Sequence, residues 1–184
     1  MHTDIKKQNI RVFGILAGCG VFFLVLASVT AVRMFPFGNF REVVSGAVYR
    51  SGQPTAEQIR KWVSEYGIKS ILNLGDSGPT SSRNQRKAAE RLGVDYVAFP
   101  LSAHRHINGD DLLAVIDILN SARQPVLIHC RRGVERSGMV SAVAAMRFGD
   151  MDYASAKRHS YVLPGPWKRM AKRDFMHISD IFGW

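Results

Sequence analysis

The sequence predicts an α/β domain built on a largely parallel central sheet, with one apolar segment ahead of it. Three observations carry this expectation. Short apolar stretches of strand length alternate with stretches of helix length from residue 43 onward. One of them, Pro125-Val126-Leu127-Ile128, runs into a cysteine, a tight loop and a further helix, which places a site at the carboxyl end of a strand. Near the N-terminus, residues 12–32 are uncharged and mostly apolar between Arg11 and Arg33.

Taken in order, the basic residues Lys6, Lys7 and Arg11 precede that apolar run. A helix of about 20 residues spans a bilayer, so residues 12–32 are expected to form a single transmembrane helix, an uncleaved signal anchor. Two other readings stay open. A cleaved signal peptide would end near Val29-Thr30-Ala31, after an apolar region longer than is usual for one. A lipoprotein signal would use Leu16-Ala17-Gly18-Cys19, but the chain stays apolar beyond Cys19. Lys and Arg are nearly balanced on the two sides, with Arg33, Arg41 and Arg50 following. The compact N-terminal cluster favours placing the domain that follows outside the cytoplasm, a periplasmic location. Gly14-Ile15-Leu16-Ala17-Gly18 matches the GxxxG pairing pattern, a weak pointer to a dimer.

Residues 33–42 read as a linker, and the domain is expected to cover 43–184. Val43-Val44 and Ala47-Val48-Tyr49-Arg50 predict a hairpin turning at Ser45-Gly46. Thr55-Ala56-Glu57-Gln58 is a capping box opening a helix to about Tyr66, closed by Gly67. A buried strand over 70–74 follows, then a polar loop over 75–82 and a helix over 83–92 closed by Gly93. A strand over 94–99 leads to a loop over 100–109. Asp110 or Asp111 is expected to cap a helix to about Ser121. After the strand at 126–129 come the loop and a helix from Ser137 to about Phe148, with Gly149 as its cap. Asp152 opens a helix to about Ser160, and residues 167–181 predict another.

Composition narrows the class. Hydrophobic residues make up 46% and charged residues 22%, ordinary for a folded domain. The net charge of +10 suits anionic partners: phosphorylated substrates, an anionic membrane surface or nucleic acid. No nucleic-acid motif accompanies it, so no nucleic acid is expected. The dense basic run over 157–173 (Lys157, Arg158, Lys168, Arg169, Lys172, Arg173) reads as a solvated face, with a membrane-facing role also open. The two cysteines, Cys19 and Cys130, lie in different settings and imply no disulfide framework.

The ten residues His129-Cys130-Arg131-Arg132-Gly133-Val134-Glu135-Arg136-Ser137-Gly138 carry the chemistry. Backbone N–H groups of a tight loop and a helix N-terminus converge on one point and attract an anion. Arg136 is placed to fork two donors onto phosphate oxygens. The same field favours the thiolate of Cys130. Ser137 is placed to donate a hydrogen bond to the sulfur when it leaves. A merely structural cysteine would leave the double arginine, the glycine and the Ser-Gly helix start unexplained.

This stretch resembles the His-Cys-x5-Arg-Ser/Thr signature of the cysteine-dependent protein tyrosine and dual-specificity phosphatases. The resemblance extends to Tyr49-Arg50-Ser51-Gly52-Gln53-Pro54, to Gly67-Ile68-Lys69-Ser70-Ile71-Leu72-Asn73-Leu74, to Ala88-Ala89-Glu90-Arg91-Leu92-Gly93-Val94 and to Phe99-Pro100-Leu101, roughly residues 43–160. These segments are similar to small bacterial members. The resemblance implies a dual-specificity-phosphatase-like α/β fold, a twisted sheet with helices on both faces, and neither metal nor cofactor. It implies a phosphomonoester hydrolase in which Cys130 forms a phosphocysteine that water then hydrolyses. Cys130, Arg136, Ser137 and His104 are the expected catalytic residues. His129, Arg131, Arg132, Gly133, Val134 and Glu135 are the expected substrate-binding ones. The expected substrate is a phosphoprotein or a membrane-associated phospholipid or phosphosugar.

One departure concerns the general acid. Related enzymes place an Asp in the loop before the cysteine, where this chain has Ala103 or His104. His104 in its protonated form is one candidate. Asp110 is a second, with a helix cap as its plainer role, and Asp76 after a strand a third, with a turn as its plainer role. Alternatively no side chain serves, and turnover favours good leaving groups. The competing readings are an inactive phosphate-binding module tethered to the membrane, and a structural membrane protein whose basic face binds anionic lipid or nucleic acid.

Overall fold

The computed structural model describes residues 37–75, 78–102 and 107–160, together with Gly20 and Leu24, both helical. The rest of the expected transmembrane segment, and the helix expected over 167–181, lie outside the described residues. Among those described, no helix is long and apolar enough to cross a membrane. Contacts divide the chain into Met1–Phe37 and Gly38–Trp184.

The strands are β1 (Arg41–Val44), β2 (Val48–Ser51), β3 (Ser70–Asn73), β4 (Asp95–Ala98) and β5 (Val126–His129). The helices that follow the first hairpin are α1 (Ala56–Tyr66), α2 (Pro79–Arg91), α3 (Gly109–Ser121), α4 (Arg136–Gly149) and α5 (Tyr153–Ala156). Short 3-10 turns occupy Phe37–Asn39 and Lys157–Ser160.

The sheet runs β1-β2-β5-β3-β4. Its three inner pairings are parallel and the β1–β2 edge is an antiparallel hairpin with an irregularity between Glu42 and Val44. β5 is central, with Val126, Leu127, Ile128 and His129 paired to β2 on one side and β3 on the other. Four consecutive buried residues are what a parallel strand covered on both faces requires.

Side-chain alternation divides the core. Val48, Leu72, Val126, Ile128 and Cys130 share one cluster with Leu112, Val115 and Leu119 of α3 and Val140, Ala142 and Val143 of α4. Tyr49, Ile71 and Leu127 share the other with Ile59 and Trp62 of α1 and Ala88 and Ala89 of α2. α4 is buried from Ser137 through Ala145. Its small residues, Gly138, Ser141, Ala142, Ala144 and Ala145, let it lie close beneath the sheet and bring its N-terminus to the end of β5.

The capping box forms as expected. Thr55 Oγ1 accepts from Gln58 N and Gln58 Oε1 accepts from Thr55 N, while Gly67 closes α1 at φ 65°. Asp152 caps α5 as expected. Other boundaries move. α2 begins at Pro79, four residues earlier than expected at Arg83; proline at the first helical position lacks only an N–H that would be unpaired anyway. Asn108, not Asp110 or Asp111, caps α3 by accepting from Asp111 N at 2.7 Å. Asp150, at φ 48°, takes the left-handed cap position expected of Gly149. The helix after Asp152 gives way to a 3-10 turn at Lys157. β1 starts at Arg41, so the strand reaches into the segment read as linker.

Candidate active site

β5 ends at His129, and residues 130–135 turn back into α4. Cys130 is 2% exposed at the floor of this turn. Its Sγ lies 3.3 Å from the Oγ of Ser137, itself fully buried in the first turn of α4. Sequence separation of seven residues becomes contact because the loop doubles back on the helix start.

Three neighbouring segments clamp the loop. Gly133 adopts φ 70°, and a Cβ built there would come within 2.3 Å of Gly52 N and 2.6 Å of Ser51 C. Only glycine meets both demands, the left-handed backbone and the close approach. Asn39 Nδ2 donates to the Gly133 carbonyl at 2.7 Å, and Gln53 N donates to the Arg131 carbonyl at 3.2 Å. On the β3 side a Cβ on Gly75 would meet Arg131 N at 3.2 Å and Cys130 C at 3.4 Å. The loop carbonyls are thus drawn outward to partners behind it.

The N-terminus of α4 carries no side-chain cap, whereas α1, α3 and α5 are closed by Thr55, Asn108 and Asp152. Its first intrahelical donors in the turn are Gly138 N to Val134 O and Met139 N to Glu135 O. The N–H groups before them are those a helix leaves for an anion. Arg136 stands at this opening. Its Nη1 donates to the Leu74 and Leu101 carbonyls at 3.3 and 3.1 Å, which ties the guanidinium to the ends of β3 and β4. A guanidinium has five N–H donors, so this anchoring leaves others for a ligand. Arg131 and Arg132 are exposed, and Val134 and Glu135 are half-buried.

His129 is fully buried, and neither ring nitrogen has a well-aligned hydrogen-bond partner among the described residues. Burial pushes its pKa down to about 4, so the ring is neutral at ordinary pH. His104 and Asp76 lie outside the described residues. Asp110 is exposed in the first turn of α3 and does not cap it.

Sequence reasoning missed the second support of the loop. Asn73 Oδ1 accepts from Gly75 N at 2.8 Å, and Asn73 Nδ2 donates to Tyr96 Oη at 2.9 Å. Tyr96 Oη donates to Gln85 Oε1 at 3.0 Å, and Gln85 Nε2 donates to the Pro54 carbonyl at 2.8 Å. This chain of bonds links β3, β4, α2 and the segment after β2. Nothing in the spacing of these residues signals that they meet. Asn39, in a stretch read as linker, was equally silent.

The family described as a DSP-PTPase phosphatase fused to NAD+ kinase matches residues 37–176. The chain belongs to this family. It is therefore a phosphatase, and Cys130, Arg136 and Ser137 all fall within the matched segment. Inositol diphosphatase SIW14 of Saccharomyces cerevisiae is 33% identical over 112 residues, which cover 58% of this chain and 38% of that relative. The chain thus matches well under half of the length of that protein. Among solved structures, a variant of P. aeruginosa TpbA in complex with pTyr superposes with a TM-score of 0.56 at 20% identity, covering 81% of this chain and 83% of that one. PTPMT1 in complex with PI(5)P superposes with a TM-score of 0.57 at 14% identity, covering 78% and 99%. These two establish likeness of fold.

Proposed function

We propose that this phosphatase works through a phosphocysteine on Cys130 and acts on a polyanionic phosphoanhydride of the inositol-diphosphate type. The observation that carries the mechanism is the Cys130–Ser137 contact of 3.3 Å at an uncapped helix N-terminus beside Arg136. The Cys130 thiolate attacks phosphorus, forming an S–P bond as the bond to the leaving oxygen breaks. Loop N–H groups and Arg136 hold the equatorial oxygens, where charge must be stabilised in the transition state. Water then attacks phosphorus, releases inorganic phosphate and returns the electron pair to sulfur. Ser137 Oγ–H steadies that returning thiolate.

The leaving group takes its proton from water or from an acid in the loop over 103–106, where His104 is the candidate. A chain with no Asp there is suited to leaving groups that need little help. A phosphate leaving group, with a second pKa of about 6, needs less than a tyrosine oxygen at about 10. The exposed pair Arg131 and Arg132 adds positive potential beside the loop, which favours multiply charged substrates. The yeast relative's name, an inositol diphosphatase, supports the same choice. A phosphotyrosyl protein is the second reading, favoured by the fold shared with the pTyr-bound structure. Residues 12–32 remain our proposal for a single signal anchor, holding the catalytic unit at the outer face of the membrane.

The test is phosphate release by the full chain in detergent from three substrates: an inositol diphosphate, a liposomal phosphoinositide and a phosphotyrosyl peptide. Cys130→Ser is expected to lower every rate by at least ~10³-fold, as loss of a covalent nucleophile does. A folded Cys130→Ser variant with wild-type turnover would exclude the phosphocysteine. Preference for the peptide would transfer the substrate proposal to phosphoproteins. Phosphate binding without turnover in the wild type would favour the binding-module reading.

A further inference from the structure

Arg50 is a charged side chain buried in the core with no carboxylate bonded to it among the described residues. It lies on β2 at 2% exposure. Its Nη1 donates to the carbonyl of His159, and its Nε has no partner among the described residues. Burial of an unpaired charge is costly, and arginine does not escape the cost by losing its proton at neutral pH. Burial, with Arg41 adding to it, lowers the Arg50 pKa to about 10, which leaves the group charged at neutral pH; the negative form of Cys130 acts in the opposite sense.

The sheet explains why these two groups sense each other. Arg50 pairs in register with Ile128 of β5. Val48, two residues before Arg50, shares its cluster with Ile128 and Cys130, so Arg50 and Cys130 belong to the same face of neighbouring strands. Strand spacing and rise put their Cα atoms about 8 Å apart.

We propose that Arg50 is the buried counter-charge of the Cys130 thiolate, a positioning residue that favours the ionised nucleophile from within the core while Arg136 is left to hold substrate. This rests on the reading of Cys130 as the thiolate nucleophile. The charged and titratable groups around the pair are Arg41 from β1, His129 from β5, His159 and Arg158 from the 3-10 turn after α5, and Arg131, Arg132, Glu135 and Arg136 from the loop and α4. Glu135 is the acid among them, and it lies half-exposed. His129, buried and neutral, supplies no charge. Among the described residues, Cys130 is thus the group that answers the charge of Arg50.

The experiment is alkylation of Cys130 by iodoacetamide in the full chain across pH 4.5 to 9.5, followed on the peptide carrying Cys130 so that Cys19 does not contribute. Arg50→Met, Arg50→Gln and Arg50→Lys are compared with wild type, each checked for a cooperative thermal melt. Loss of the charge is expected to raise the midpoint of alkylation by about one pH unit, roughly the effect of one nearby charge in a partly polar interior. Arg50→Lys should restore most of the shift, which a purely structural role would not predict. The acidic limb of kcat/KM should move by the same amount. Arg50→Gln keeps a polar side chain on β2 and carries the test if Arg50→Met does not fold. A folded Arg50→Met or Arg50→Gln with the wild-type midpoint overturns the role of Arg50 and leaves the thiolate mechanism intact. A wild-type midpoint equal to that of a free cysteine peptide overturns both.

Discussion

Gly133 shows how much a single missing Cβ decides. The residue is left-handed and lies against the backbone of Ser51 and Gly52, which cannot yield as a flexible side-chain end does. Gly133→Ala is expected to cost about 1–3 kcal/mol in chemical denaturation and to abolish phosphate release, because relief of the clash moves the loop. Near-wild-type activity would show that the loop tolerates the shift. His129 makes the opposite kind of contribution. Its folded pKa, about 4, lies below the ordinary 6.5, so the unfolded chain binds more protons between these values. Stability is fully present above about pH 6.5 and falls as pH drops toward 4, by up to about 3 kcal/mol. His129→Gln should flatten that slope in urea melts between pH 4.5 and 7. An equal slope in both proteins would assign the acid sensitivity elsewhere. The Cys-x5-Arg-Ser spacing was legible in the chain itself because one loop and one helix turn bring these residues together. The burial of His129 and Arg50 was not, because it depends on what packs above them.

At the scale of elements, helix starts written as side-chain-to-backbone bonds were the easiest to read. The box at Thr55 and Gln58 closes within four residues and needs no tertiary partner. The start of α2 at Pro79 and the cap at Asn108 were misread where several capping residues compete within one turn. The support between elements is a separate matter. Asn73, Tyr96 and Gln85 come from β3, β4 and α2, and their bonds end at Gly75, which lies against the phosphate loop, and at Pro54, next to the Gln53 that donates to it. Tyr96→Phe removes the hydroxyl that joins them and leaves Gln85, 1% exposed, short of a partner. The expected cost is about 1–3 kcal/mol, with kcat reduced more than the binding of inorganic phosphate. Unchanged kcat in a destabilised Tyr96→Phe would make the network structural alone.

Across the whole molecule, the net charge of +10 acts with the exposed Arg131 and Arg132 to draw in polyanions. KM for an inositol diphosphate is expected to rise several-fold between about 50 and 300 mM salt, while kcat stays nearly level, because screening weakens long-range attraction before it reaches the enclosed loop. A KM indifferent to salt would remove the polyanion argument. The alternation of strands and helices and the residue types of the phosphate loop were determined by the sequence itself, through periodicity, turn chemistry and spacing that act over a few residues. The strand order was not, since β5 inserts between β2 and β3 by pairings across more than fifty residues. Tertiary structure also decided which polar groups meet: Asn39 on Gly133, and Tyr96 between Asn73 and Gln85. Such contacts obey packing geometry between distant segments, and no local pattern in the chain encodes that geometry.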